Sequence, residues 1–220
     1  MKGTDTYADL IKGLRSAYDH SAADRDRYEK EEWKLTERSR FLDRLRQERK
    51  SRLLEVGAGT GQDSIFFQEN GLSVVATDLS PRMVERCRTK GLEAYVMDVK
   101  GLSFPPESFD AAYALNCLLH VPNAEMDAVL KAMQLPLAPG ALLYVGVYGG
   151  AGVEGVLADD LHEPKRFFSF RSNETLVRMA EQHFEVVDFH VVPAGERSFQ
   201  ALTLRRPNKR MHATCEDVRA

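Results

Sequence analysis

Several side chains in this sequence have the type and the spacing for ligand chemistry. Glu55 stands two residues ahead of a run of alternate glycines, Gly57, Gly59 and Gly61. Asp78 and Asp98 each follow a short apolar stretch, and His120 lies just beyond a third. Carboxylates at strand ends accept hydroxyl or amine hydrogens from a ligand. An imidazole titrates near neutral pH and suits proton transfer. Alternate glycines let the chain turn sharply and bring bare backbone against a ligand, because no Cβ stands in the way. Leu53, Leu54 and Val56 make a short apolar run, a buried strand ended by those glycines. The segment 62–70 then reads as a helix closed by Gly71. Strand, glycine turn and helix in that order form the nucleotide-binding corner of a doubly wound sheet, with the ligand outside the strands' carboxyl ends.

The spacing narrows the ligand. A dinucleotide site needs G-x-G-x-x-G, whereas here the third glycine comes one place early and Gln62 holds the last position. The carboxylate of Glu55 would repel a pyrophosphate and would suit a ligand that carries positive charge. S-adenosylmethionine carries a sulfonium and an α-ammonium group and no phosphate. The stretch Glu55-Val56-Gly57-Ala58-Gly59-Thr60-Gly61 resembles the first motif, E/D-x-G-x-G-x-G, of the class I S-adenosylmethionine-dependent methyltransferases. That resemblance implies that Glu55, Gly57, Ala58, Gly59 and Gly61 line the cofactor.

Further blocks resemble the same family. Val74 to Ser80 fits V-x-A-x-D-x-S, which implies that Asp78 accepts both ribose hydroxyls and that Leu79 and Met83 approach the adenine. Met83 serves equally well as core filler. Asp98-Val99 and the following Leu102 to Asp110 resemble the family's D-A-x-x-L-P-F-x-x-x-S-F-D block. By that resemblance Asp98 accepts from the adenine amine and the Val99 N–H meets a ring nitrogen. The stretch from Asn116 to Pro122 is implied to form the wall between methyl donor and acceptor, with Asn116 on the cofactor side. Many relatives read L-H-H there. Here Leu119 replaces the first histidine and His120 corresponds to the second, either a base for a hydroxyl acceptor or a structural imidazole bonded to backbone. No D/N-P-P-Y/F sequence is present, which argues against DNA substrates. Cys117 reads as a packing residue.

These groups need a scaffold. From residue 51 strands and helices alternate, which implies a mostly parallel sheet covered on both faces. Expected strands are 53–56, 73–77, 94–97, 109–115 and 141–147, followed by an antiparallel hairpin of 185–192 and 199–204. Ser80 with Pro81 opens one helix, one starts near Asn123, and Ser172 or Asn173 caps another. The fold class is therefore α/β, a doubly wound, mostly parallel seven-stranded Rossmann-like sheet with a C-terminal antiparallel hairpin. An N-terminal helical cap spans 1–50, the cofactor domain 51–206 and a flexible tail 207–220.

The cap is expected as two helices lying over the ligand edge, with Tyr18-Asp19-His20 between them and Tyr28 before the second. By the resemblance, Tyr18 and Tyr28 contact substrate; alternatively they are amphipathic packing residues. Tyr148 and the loop to Phe170 form the other rim. There Phe167, Phe168 and Phe170, with Arg166 and Arg171, make either an acceptor pocket or a buried strap. The basic run from Arg38 to Arg52 is broken by Phe41, Leu42 and Leu45 and reads as a solvated helix face.

Composition sets bounds. At 220 residues, 43% hydrophobic and with a net charge of −3, the chain has an ordinary globular balance and no field to gather nucleic acid or anionic lipid. No apolar run reaches membrane-span length and no signal-peptide core is seen, so a cytoplasmic setting is expected, with no nucleic acid or membrane partner. Cys87, Cys117 and Cys215 are unpaired by spacing and the histidines show no metal-ligand spacing, so no metal is expected. The reading is transfer of a methyl group from S-adenosylmethionine to a small-molecule O or N nucleophile. Its rivals are a cofactor-binding scaffold without turnover and a nicotinamide oxidoreductase.

Overall fold

The computed structural model of the chain describes residues 6–195 and 197–208. Strands β1 (Arg52–Val56), β2 (Ser73–Asp78), β3 (Glu93–Val96), β4 (Phe109–Leu115), β5 (Leu137–Gly149), β8 (Glu185–Ala194) and β9 (Arg197–Arg205) form one sheet. Its order is β3-β2-β1-β4-β5-β9-β8. β1 to β5 run parallel, and β9 is antiparallel to both β5 and β8. This is the doubly wound sheet with the terminal hairpin that the alternation implied. β1 is buried at all but its first residue, as expected where helices cover both faces of a parallel sheet. The sheet order reverses at β1 and β4, and the ligand crevice of such a sheet opens at that switch point.

Helices α3 (Gln62–Glu69), α4 (Pro81–Thr89), α5 (Met126–Gln134) and α6 (Asn173–Glu181) connect the strands. Ser80 caps α4 by accepting from the Met83 N–H at 3.1 Å, and Ser172 caps α6 through the Thr175 N–H at 3.2 Å. On one sheet face Leu54, Ala112 and Leu143 pack with Leu130 of α5 and Leu176 of α6. On the other, Leu53, Tyr113 and Tyr144 pack with Phe67 of α3 and with Phe41, Leu42 and Leu45.

Those last three belong to α2 (Glu32–Gln47), and they correct the expectation for the cap. Of its two helices, α2 lies on a sheet face, because its apolar stripe meets β1, β4, β5 and β9. α1 (Tyr7–Arg25) and the linker after it reach the ligand edge instead. α1 is also longer than expected. Thr6 and Asp9 form a reciprocal cap, and the helix runs through Tyr18-Asp19-His20 rather than breaking there, with Ala17 and Ala22 buried along one side. The basic run is solvated at Arg40, Arg46, Arg49 and Arg52, as expected, whereas Arg38 reaches Asp63 at 2.9 Å and Lys50 donates to the Gly140 carbonyl.

Two strands escaped the sequence reading. β6 (Val153–Val156) and β7 (Phe167–Phe170) pair antiparallel as a separate small sheet. Phe168 and Phe170 stack within it and are buried, so this segment is a strap against the core, as one of the two alternatives had it. β3 ends at Val96, so Asp98 caps a single 3-10 turn, Val99–Gly101. β5 begins at Leu137, ahead of the expected 141, and takes up Pro139-Gly140 beside a register shift in its pairing with β4. Cys215, His212 and residues 209–220 of the expected tail lie outside the described residues.

Candidate active site

A cavity of about 190 Å³ opens at the carboxyl ends of β1, β2 and β4, roofed by α1 and the linker to α2. Glu55, Gly57, Ala58, Gly59, Asp78, Leu79, Met83, Asn116, His120, Tyr18 and Tyr28 all line it. The glycine turn explains itself position by position. Gly57, Gly59 and Gly61 all have positive φ, at 75°, 56° and 81°. A Cβ at Gly57 would lie 2.4 Å from Cys117 Cβ, and one at Gly61 would lie 2.5 Å from Leu92 Cδ1. A Cβ at Gly59 would meet nothing within 4 Å, because this glycine faces the cavity. Gly61 is thus a packing glycine and does not line the cavity.

Carboxylates dominate the floor. Asp78 Oδ2 accepts from the Gly59 N–H and Oδ1 from the Ser80 N–H, each at 2.8 Å. Burial pushes its pKa up to about 6. Glu55 accepts from the Ser64 hydroxyl. Burial, reinforced by nearby Asp63, raises the Glu55 pKa above the usual carboxylate range. Asp63, in the first turn of α3, is held by Lys30 and Arg38. Asn116 directly follows β4 with φ of 55°, and its buried Oδ1 has no hydrogen-bond partner among the described residues. Such an oxygen at a cavity wall invites a donor from a ligand.

The opposite wall carries a hydrogen-bonded chain of side chains. His120 Nδ1 lies 2.7 Å from the Phe167 carbonyl oxygen, which only accepts, so Nδ1 bears the hydrogen and Nε2 is bare. Tyr18 donates its hydroxyl to that Nε2 at 2.6 Å and accepts from Arg166 at 3.2 Å. Asp160 holds the Arg166 guanidinium through both oxygens, at 2.7 and 3.1 Å. Burial lowers the His120 pKa to about 3, with Arg166 and Arg25 acting in the same direction, so the imidazole is neutral. Both ring nitrogens of His120 are engaged, Nδ1 by the Phe167 carbonyl and Nε2 by the Tyr18 hydroxyl.

Sequence reasoning left Arg171 between an acceptor pocket and a buried strap, and missed Asp63, Arg25, Lys30 and Lys34. Arg171 is buried and donates to the carbonyls of Leu118 and Val121, which clamps the turn that carries His120. Burial lowers its pKa to about 10. No local pattern marks such a residue; its partners lie some fifty positions away. Asp63 had a faint signal, an acid in the first turn after a glycine loop. Arg25, Lys30 and Lys34 also line the cavity, although the sequence shows them only as part of a charged segment.

Besides Gly61, three candidate residues, Asp98, Val99 and Tyr148, stand apart from the cavity lining. Asp98 Oδ1 accepts the Tyr7 hydroxyl at 2.7 Å, which ties the start of α1 to this edge. The Tyr148 ring packs edge-on against Trp33 and Phe199, at 6.2 and 5.6 Å between centroids. Cys117 lines the cavity, and burial pushes its thiol up to about 12, so it is no nucleophile. No group of metal-ligating side chains occurs among the described residues, and none of the helices searched is long and apolar enough to cross a membrane.

Comparison with known proteins agrees with this geometry. Residues 53–140 match the family model of a methyltransferase domain. The chain is 30% identical over 161 residues to the 27-O-demethylrifamycin SV methyltransferase of Amycolatopsis mediterranei, a match covering 66% of this chain and 56% of that one. It is 30% identical over 156 residues to the ubiquinone biosynthesis O-methyltransferase of Xanthomonas oryzae pv. oryzae, covering 62% and 64%. The chain thus spans 56% and 64% of these relatives' own lengths. Among solved structures it superposes on the Burkholderia thailandensis 1,6-didemethyltoxoflavin-N1-methyltransferase, bound to 1,6-didemethyltoxoflavin and S-adenosylhomocysteine. The TM-score is 0.78 at 23% identity, over 94% of this chain and 93% of that one, a likeness of fold. Residues 53–140 thus resemble a methyltransferase domain, and the chain shares the fold of that Burkholderia structure.

Proposed function

We propose that the protein is an enzyme that transfers a methyl group from S-adenosylmethionine to an oxygen or nitrogen of a small molecule. One observation carries this reading. The buried carboxylate of Glu55, the half-buried one of Asp78 and the unpartnered Asn116 oxygen converge on a single cavity over an open glycine turn. Acceptor oxygens so arranged suit a ligand rich in donors and positive charge, and they disfavour a pyrophosphate.

When bound, S-adenosylmethionine supplies an electrophilic methyl group. The chain's residues do the rest. Asp78, already aimed by two backbone N–H groups, holds the ribose hydroxyls. Glu55 and Asn116 take the α-ammonium end, while Lys30 and Lys34 offer cations to the carboxylate. Leu79 and Met83 cover the adenine, and Asp98 with Val99 stands at its far edge. Gly57, Ala58 and Gly59 let backbone approach closely. Tyr18 and Tyr28 face the acceptor, and Tyr148 supports that rim by packing on Trp33. Holding acceptor and methyl at near-attack distance and excluding water accounts for most of such an acceleration, up to ~7–11 kcal/mol in model systems.

The test is calorimetric titration with S-adenosylhomocysteine, with NAD in parallel. Saturable one-to-one binding of the first alone is expected. Binding of NAD alone, or of neither, overturns the proposal.

A further inference from the structure

We infer that Tyr18 receives the acceptor's proton as it hands its own to His120, so that the acceptor is an acidic hydroxyl, a phenol or an enol. This rests on the methyltransferase reading and deepens it. His120 Nε2, the bare nitrogen, is already occupied by the Tyr18 hydroxyl at 2.6 Å. An acceptor in the cavity therefore meets Tyr18 Oη before it can meet the imidazole. Oη also has Arg166 on its other side at 3.2 Å. The guanidinium carbons of Arg25 and Arg166 lie 5.3 and 5.4 Å from the Tyr18 ring centroid. Two cations flanking one phenolic group favour negative charge developing on oxygen and disfavour a cationic acceptor.

The step balances. The acceptor oxygen forms a bond to the methyl carbon, the sulfur–methyl bond breaks, and its electron pair stays on sulfur as a neutral thioether. The acceptor's proton passes to Tyr18 Oη, and the Tyr18 proton passes to His120 Nε2. The positive charge lost at sulfur reappears on the imidazole, and the net charge of the cavity is unchanged. An amine acceptor has no use for such a chain, since its proton leaves after transfer to any water.

The charged and titratable groups around His120 act on its positive charge in both directions. Arg25 of α1 and Arg166 before β7 oppose it, Asp160 favours it, Tyr18 of α1 holds Nε2, His162 packs against Tyr18, and Cys117 shares the turn. The imidazole is buried among them and favours its neutral form. The charge it accepts must therefore be brief, or the acceptor already acidic. A phenol or enol meets that demand and a simple alkyl alcohol does not.

The probe is 4-nitrophenol, whose ionisation is visible by absorbance, added to protein saturated with S-adenosylhomocysteine. The parent protein, Tyr18→Phe and His120→Gln are compared, with 4-nitroaniline as a probe of the same outline lacking an acidic proton. S-adenosylhomocysteine affinity is measured first for each. Absence of binding to the parent removes the methyltransferase reading and the relay with it. With binding established, the bound nitrophenol is expected to ionise more readily than the free compound, by about tenfold in the ionised-to-neutral ratio. Either substitution should abolish that gain while changing S-adenosylhomocysteine affinity and nitroaniline binding far less. Three results overturn the relay: no gain or no nitrophenol binding in the parent, a full gain retained in either variant, or equal losses for both probes. The last would make Tyr18 and His120 packing groups. In the parent alone, tighter binding of nitroaniline than of nitrophenol also overturns it, so the result does not depend on the variants folding.

Discussion

Replacing Asp78 with alanine should move stability and cofactor affinity independently. The Asp78 pKa rises from 3.8 to about 6 because its half-buried carboxylate is desolvated, even with two N–H groups pointing at it. At about 1.4 kcal/mol per unit, the ionised group costs the empty fold on the order of 3 kcal/mol at neutral pH. Alanine removes that cost. It also leaves the Gly59 and Ser80 N–H groups without their acceptor, at about 1 kcal/mol each where water can reach them. These effects nearly cancel, so the melting temperature should hold or rise slightly. Cofactor binding should fall sharply. Each ribose hydroxyl bonded to a carboxylate contributes about 1.5–3 kcal/mol, so losing the pair costs roughly 3 kcal/mol, about a hundredfold in affinity.

The sign of the pH dependence adds a second check. A carboxyl with a raised pKa favours the fold in its neutral form, and that contribution fades as pH climbs through about 6. Ribose hydroxyls bind the ionised form. S-adenosylhomocysteine affinity in the parent protein should therefore weaken as pH falls from about 7 to about 5, and the alanine variant should lack this dependence. Calorimetry across that range, with thermal melts on the same samples, reads both. Affinity within about threefold of the parent at neutral pH would refute the ribose assignment. Collapse of the melt with no affinity measurable would instead place Asp78 among structural residues.

Other outcomes follow from the same geometry. Arg171→Leu strips the donors from the Leu118 and Val121 carbonyls, each costing about 1–3 kcal/mol when left buried and unpaired, so denaturant unfolding should show a loss of several kcal/mol; an unchanged midpoint would contradict the clamp. His120 protonates at about 3 in the fold against 6.5 for an ordinary imidazole, so it makes the fold lose stability as pH drops through that window. His120→Gln should flatten that decline, by on the order of 4 kcal/mol near its acid end, as read by unfolding curves at several pH values. Gly59→Ala and Gly61→Ala both force a side chain into left-handed backbone at about 1 kcal/mol, but only Gly61→Ala also drives a Cβ into Leu92. Melts should therefore fall further for Gly61→Ala, whereas S-adenosylhomocysteine affinity should fall further relative to stability for Gly59→Ala.

Much of the cavity floor was legible in the sequence, because the signals are local. A short apolar run, alternate glycines and a helix start occupy one continuous stretch, and backbone geometry converts that pattern directly into a turn at a strand end. Asp78 and Ser80 are likewise positioned by residues adjacent to them in sequence. Boundaries at β3 and β5 shifted by a few residues, since a proline or a bulge at a strand end is decided by the neighbouring strand. The small sheet of β6 and β7 was invisible because its strands are short and their pairing spans an irregular segment.

The acceptor side was decided only by tertiary packing. Tyr18 and His120 are 102 positions apart, and Arg166 and Arg171 join them from a third region. No spacing rule connects such residues; they meet because α1 lies over the ligand edge while the strap of β7 presses against the turn after β4. The N-terminal helices divided for the same kind of reason. Apolar residues of α2 found a sheet face to cover, and α1, with a weaker apolar stripe, was left to roof the cavity. The sequence by itself determined the class of fold and the chemistry of the cofactor's floor, through contacts between near neighbours. The pairing of Tyr18 with His120, which the proposed relay needs, exists only once distant segments are buried together, where desolvation keeps the imidazole neutral.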